Sequence, residues 1–334
     1  MKIKIYKAEV NLPAALLGFL DRTYGTHKNY DLFLNDFKKA FAYCVESSNI
    51  KFIPFIIEKD KEMLGHISLI LDQRLGPATA FFGFFELVND KAVFDLLWTE
   101  LCSEAKKKGI KMLLGPVNGS IWHQYRNISK SDTSEYFNSE PMSQKHYFAF
   151  LKGSNAIKEI EYHSAYRENF AAVMSKIKTS ESILKDSGFT IEQEEKMDLG
   201  KLIKIAHLSK TVFSKSWGFT ELTKEEFLKL YPSDKIEENL NKLYILYKRE
   251  EIIGYCSTII EDKDTLICKT ICILPEYQGL GLGNALAFRV HKDAISDGYS
   301  KIIYALVRTD NKIKNFPQND VVIFRNYSTF EFKI

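Results

Sequence analysis

The sequence predicts a mixed α/β protein of two tandem, similarly ordered halves, and three observations carry that prediction. The chain has 334 residues, enough for two domains. Each half reads in the order helices, three strands, helix, strand. Short breaks between the strands imply hairpins, so each sheet is expected to be mixed, mostly antiparallel and twisted, with flanking helices. The two halves barely share residue identities, so the repeat is one of architecture. The expected division is 1–168 and 169–334.

The elements follow in order. Residues 2–10 alternate as a strand. Residues 13–22 and 30–46 read as helices, the second because Phe33, Phe37, Phe41 and Cys44 recur at helical spacing. Strands are expected at 51–58, 65–71 and 79–87, the last so rich in Phe that both its faces must be covered. Asn89-Asp90 is an N-cap signal for a helix over 91–108, whose stripe is Val93, Leu97, Leu101 and Ala105 and whose stop is Gly109. A strand starts at Met112 and ends at Gly115-Pro116. Residues 117–141 are polar and read as a long loop or insertion. A short helix near 142–153 and strands near 157–172 complete the first half. In the second half, helices are expected near 179–187, 201–213 and 223–230, and strands near 243–248, 252–260 and 265–274. A helix over 283–297, a strand over 301–307 and one or two strands between Val321 and Phe332 close the chain.

Composition narrows the function. Hydrophobic residues make 45% and charged residues 27%, with a net charge of +3, so no basic footprint for nucleic acid is present. The run Lys106-Lys107-Lys108 sits late on a helix, where cations suit the dipole. Five cysteines without a C-x-x-C pair argue against a zinc site and a disulfide frame. With neither a signal-like N-terminus nor an apolar run of membrane length, a cytoplasmic protein without membrane partners is expected.

The sharpest signal is the turn after the strand at 265–274: Leu274-Pro275-Glu276-Tyr277-Gln278-Gly279-Leu280-Gly281-Leu282-Gly283-Asn284. Glycines allow positive φ, so consecutive backbone N–H groups can converge, and a helix N-terminus adds partial positive charge. The product is an anion cradle suited to a pyrophosphate. A Walker loop would need Lys-Ser or Lys-Thr here. A dinucleotide fingerprint would need glycines directly after the strand, at spacings that instead hold Asn284 or Leu286.

The pattern strand, Leu-Pro-Glu-Tyr, Gln-x-x-Gly-x-Gly, helix resembles motif A of the GNAT superfamily of CoA-dependent N-acyltransferases, with Gln278, Gly281 and Gly283 at its marked positions. Ile253-Gly254-Tyr255 resembles the family strand before that motif, and the resemblance extends over about 195–310. The corresponding stretch of the first half, Phe84 to Asp90, has no glycine and is expected to hold no cofactor. The chain thus looks like a tandem acyltransferase with a degenerate N-terminal domain.

That resemblance implies an N-acetyltransferase moving an acetyl group from acetyl-CoA, the co-substrate, to a primary amine of an unknown acceptor, without a metal. The backbone at Ile271, Cys272 and Ile273 would meet the pantetheine arm or the thioester carbonyl. The backbone N–H groups of Gly279, Leu280, Gly281, Leu282, Gly283 and Asn284 would hold the pyrophosphate, Gln278 is a further cofactor-binding residue of the motif, and Asn311 would sit beside the pantetheine. Catalytic candidates are Tyr327 as general acid and Glu261 as base, with Tyr304 and His291 behind them. The family's usual Tyr beyond Asn311 is missing. Cys272 is expected to be an inert buried thiol. The turn Gly115 to Ser120, with Trp122, His123 and Arg126, is either an acceptor pocket wall or a plain turn. Two alternatives stand beside this reading: a non-catalytic acyl-CoA sensor, and a transferase of longer acyl or aminoacyl groups.

Overall fold

The computed structural model describes residues 2–6, 8–60, 62–133, 135–175, 184, 188–194, 198–231, 242–310 and 319–334. It is mixed α/β and divides into two units. The first holds 1–162, 217–220 and 325–334, and the second 163–216 and 221–324. The last ten residues, expected in the second half, therefore belong to the first unit. The helix expected at 179–187 lies, except for residue 184, outside the described residues. No helix among the described residues is long and apolar enough to cross a membrane.

In the first unit, β1 (Lys2–Ile5), β2 (Ile50–Lys59), β3 (Glu62–Asp72) and β4 (Thr79–Leu87) pair antiparallel in sequence order. Next comes β5 (Met112–Gly115), parallel to β4, and then β13 (Val321–Lys333), antiparallel to β5. Helices α1 (Ala14–Tyr24) and α2 (Tyr30–Glu46) cover one face and α3 (Lys91–Lys107) covers the other. The Phe-rich β4 is buried on both sides as its composition predicts. Phe82 and Phe85 pack with Val93, Leu97 and Leu101 of α3, while Phe81 and Phe84 pack with Phe37 and Phe41 of α2. Burying a Phe or Leu side chain is worth roughly 1.5–3 kcal/mol, so these two stripes dominate the unit's stability. Between Phe82 and Phe85 the alternation slips by one residue: the ladder shifts opposite His66/Ser68, and Phe84 has φ 48°. A short helix, α4 (Lys145–Lys152), completes the unit.

The stretch expected to be a loop at 117–141 contains a strand, β6 (Asn127–Ser131), which pairs with β13. Its sequence, Asn-Ile-Ser-Lys-Ser, has one apolar residue, so period-2 alternation gives no signal.

The second unit repeats the pattern. After β7 (Lys158–Arg167), which carries the chain across from the first unit, come β8 (Phe189–Glu194) and α5 (Leu199–Phe213). Next are α6 (Lys224–Leu230), β9 (Lys242–Lys248), β10 (Glu251–Ile260), β11 (Thr265–Ile273), α7 (Leu282–Ser296) and β12 (Lys301–Arg308). The order β8-β9-β10-β11 is antiparallel, β12 is parallel to β11, and β7 lies beyond β12. Leu282, Ala285, Leu286 and Val290 of α7 pack on Ile253, Leu266 and Ile302.

Candidate functional site

The site is built where β11 ends. The β11–β12 ladder runs only from Thr265↔Lys301 to Cys268↔Tyr304. Beyond that point β12 leaves its neighbour: Leu306 takes φ 59° and its N–H donates to Ser164 Oγ at 3.0 Å. On the other side β11 stays paired with β10 as far as Gly254↔Ile273. That pairing is close, since a Cβ on Gly254 would stand 2.7 Å from the Cys272 carbonyl oxygen and 2.6 Å from Ile273 Cδ1. The Leu274 N–H donates to Ile253 O at 2.8 Å. Backbone groups alternate along a strand, so the Cys272 amide faces β10 too and those of Ile271 and Ile273 face the edge that β12 has left.

The turn continues that edge. Pro275–Tyr277 form one 3-10 turn, and the Gln278 side chain folds back so that Nε2 donates to Ile273 O at 2.9 Å. Gly279 and Gly281 have φ of 86° and 78°, a region that costs a side-chain-bearing residue. Gly281 is the N-cap of α7, and no side chain caps the helix. The first intrahelical bond there is Ala285 N–H to Gly281 O, so the amides of Leu282, Gly283 and Asn284 have no intrahelical acceptor. Gln278, Gly279 and Leu280 are exposed, and Gly281, Gly283 and Asn284 half-buried. A strand edge that β12 has left, a positive-φ turn and an uncapped helix start thus lie consecutively along the chain, an arrangement that can bind an extended amide-bearing arm followed by an anion.

Asn311 lies outside the described residues. Of the side chains expected to do chemistry, two are corrected. Glu261 sits in the β10–β11 turn, with its N–H bonded to Thr265 O. That is the opposite end of β11 from Ile273, eight residues or roughly 26 Å away along the strand. Tyr327 is in the first unit, fully buried, and its hydroxyl donates to Glu140 Oε1. Glu140 also takes the buried Arg325 guanidinium, and Arg325 donates further to the Glu135 carbonyl at 2.6 Å. Tyr327 is therefore part of a structural ion-pair network. Burial pushes the Glu140 carboxyl up to about 7, with Arg325 opposing the shift.

The half-buried Tyr304 and the buried His291 form a chain in the second unit. The Ala287 carbonyl accepts at 2.7 Å from His291 Nδ1, which must therefore carry the proton. Nε2 is left to accept the Tyr304 hydroxyl at 2.7 Å. Arg167 Nε donates to the same hydroxyl at 3.1 Å. Burial lowers His291 to about 4 and raises Tyr304 to about 12, so both are neutral and locked at physiological pH. Burial also pushes the Cys272 thiol up to about 12, which makes it a poor nucleophile.

The first unit holds polar groups that periodicity did not single out. Glu86 is buried on β4, and its Oε2 accepts the hydroxyls of Tyr24 at 3.0 Å and Tyr147 at 2.9 Å. Burial raises it to about 8, against the pull of those two bonds. A lone acid inside the run Phe-Phe-Gly-Phe-Phe-Glu-Leu was the available signal. Trp122 Nε1 donates to Thr220 O at 2.9 Å, and His123 Nδ1 lies 2.9 Å from Ser120 Oγ. Trp122 is therefore tied to the 217–220 segment and His123 to the turn itself.

Comparison with known proteins bears on the fold. Residues 204–314 match the model of the acetyltransferase (GNAT) family. No curated relative matches the sequence. Among solved structures the chain is similar to a tandem GNAT protein from the clavulanic acid biosynthesis pathway, at 10% identity and a TM-score of 0.56, over 99% of this chain and 98% of that one. It is also similar to a fungal multi-domain beta-N-acetylglucosaminidase with a GCN5-related glucosamine N-acetyltransferase region, at 9% identity and a TM-score of 0.58, over 99% of this chain and 38% of that one. A third is a probable N-acyltransferase from Enterococcus faecalis, at 11% identity and a TM-score of 0.57, over 100% of this chain and 72% of that one. At such identities these likenesses speak for the fold.

Proposed function

We propose that this chain, a GNAT superfamily protein in tandem form, transfers an acetyl group from acetyl-CoA to a primary amine, with the donor bound by the second unit. The observation that carries the reading is the parting of β11 and β12 after Cys268↔Tyr304 beside an uncapped, glycine-led helix. In this proposal the Ile271 and Ile273 amides pair with the pantetheine arm, and one of them polarises the thioester carbonyl as charge develops on its oxygen. The Gly279 to Asn284 backbone holds the pyrophosphate, and Gln278 secures the turn through Ile273 O. Little is asked of side chains: the leaving thiolate has a pKa near ~8.5 and departs readily, whereas the amine must lose its proton before attack.

The test is a calorimetric titration of the full chain with acetyl-CoA, beside Gly281→Glu and Gly281→Ala. Both variants strain the φ 78° backbone, but only Glu adds a negative charge to the cradle. Micromolar binding by the wild type is expected, with Glu weakening it by about 100-fold, or about 2.8 kcal/mol, and well beyond Ala. Absence of wild-type binding would sink the proposal. A second reading, donor binding without turnover, is favoured by one fact: Glu261 stands at the opposite end of β11, and the Tyr327 hydroxyl is taken up by Glu140. Release of free thiol with a panel of amines separates it from catalysis, and a panel of longer acyl-CoA donors reports chain length.

A further inference from the structure

The first unit contains a small cavity of about 20 Å³ whose lining includes Glu86, Asn118, Gln124, Arg126 and Asn127. Three of these are more than nine-tenths buried and carry atoms with no hydrogen-bond partner: Gln124 Oε1, Arg126 Nε and Asn127 Nδ2. The other buried arginine of this unit among the described residues, Arg325, is satisfied differently. Arg325 has its carboxylate in Glu140, while the Arg126 guanidinium has no ion pair or hydrogen bond among the described residues. It lies between two aromatic faces, 3.7 Å from the Tyr125 ring centroid and 4.1 Å from that of Tyr162.

A buried cation without a counter-charge is costly, and aromatic faces answer only part of that cost. A second feature points the same way. Arg126 has φ 81°, a conformation that a long side chain enters only against a penalty. Both observations make sense if the side chain is held there for a ligand.

We propose that this cavity is a binding site for the carboxylate head of a small ligand, with the Arg126 guanidinium as its counter-charge and Asn127 Nδ2 as a second donor. The volume fits an oxygen-sized group or two, not an extended ligand. Lone water would satisfy hydrogen bonds but leave the charge of Arg126 unanswered. A phosphate, with four oxygens about one centre, is too large for a cavity of about 20 Å³. Glu86 suits a carboxylate: its Oε2 holds both tyrosine hydroxyls, and the acid, raised to about 8, is protonated at neutral pH and can donate from Oε1. The site shares no residue with the glycine-led cradle and stands whether or not the chain binds acyl-CoA.

The test is solution NMR of the Nε–H resonances of arginine in the ¹⁵N-labelled full chain. The Arg126 signal is identified by its loss in Arg126→Lys. Titration with acetate or formate is expected to shift that signal saturably in the millimolar range, while chloride and inorganic phosphate at matched ionic strength leave it in place. Asn127→Asp, which sets a fixed carboxylate beside the guanidinium, is expected to reduce the acetate response at least tenfold. A signal unmoved by either carboxylate means that the cavity holds water only, and the proposal falls. An equal response to phosphate or chloride overturns the carboxylate assignment, as does an undiminished response in a folded Asn127→Asp protein.

Discussion

The ends of β4 and β11 occupy the same place in the two units, and they are finished in opposite ways. Each strand closes a run of antiparallel hairpins, pairs briefly in parallel with the strand after its helix, and then feeds that helix. In the second unit the parallel partner leaves after Cys268↔Tyr304, and α7 starts at a positive-φ glycine with no side-chain cap. In the first unit the chain fills its own opening. Val117 N–H donates to Phe82 O at 2.8 Å, and the Asn118 side chain accepts from the Phe84 N–H at 2.7 Å. The helix start is filled too, because the Asp90 carboxylate accepts from Ala92 N–H at 2.8 Å. A group that would answer a ligand's amide or phosphate is thus supplied from within. One architecture yields a cradle or a sealed edge according to a few residues: glycines and an exposed turn in one case, Asn118 and Asp90 in the other.

The largest effect is expected where the seal is tightest. A Cβ on Gly83 would lie 1.9 Å from Val117 O, whereas the worst contacts at Gly254, the close approach in the second unit, are 2.6 and 2.7 Å. Gly83→Ala must push the 115–118 segment off β4, losing the Val117 and Asn118 bonds as well as packing. A loss of roughly 3 kcal/mol is expected, at the upper end for overpacking, and Gly254→Ala should cost less. Chemical denaturation of both variants checks this. Equal or reversed costs would mean that the 115–118 segment is not what closes the edge.

A pH-dependent difference comes next. Glu86 is raised from an ordinary 4.5 to about 8 in the folded state. The folded chain therefore binds this proton more tightly than the unfolded chain does. Its stability contribution is fully present below about pH 4.5 and is lost as pH rises toward about 8. Glu86→Gln keeps an acceptor for Tyr24 and Tyr147 and has no proton to lose. Wild-type protein should lose stability relative to this variant across that window, and level off above it. Thermal unfolding midpoints of the two proteins over the pH series give the answer, and parallel curves would rule out a buried neutral acid at this place.

Much of this contrast was written locally in the chain. Gly279 and Gly281 announce a turn that needs positive φ, and the Phe-rich β4 announces a strand covered on both faces. The helix stripes of α2 and α3 are equally local. The position of Tyr327 was not, since it depends on β13 returning to pair with β5 and β6 of the first unit. No periodicity in the tail records which sheet it joins. Glu261 is a different kind of error: the hairpin that precedes the glycine turn already puts residue 261 at the wrong end of β11. The cavity around Arg126 lay between these cases. The arginine could be singled out, but the burial of Gln124 and Asn127 beside it comes from contacts distant in sequence.

The smallest effect is expected at the two helix starts, and it tests whether the cap alone distinguishes them. Asp90→Ala removes a side-chain cap from α3 and should cost about 1 kcal/mol. It also strips the negative charge from that helix N-terminus. Even so, no acetyl-CoA site should appear in the first unit, because the residues between β4 and α3 include no glycine to turn successive amides toward one point, and the edge of β4 stays closed by Val117 and Asn118. Calorimetry of Asp90→Ala in the Gly281→Glu background isolates that unit. Recovery of nucleotide binding there would show that a bare helix N-terminus suffices for the cradle. Continued silence would locate the difference in the glycine-led turn and the open strand edge acting together.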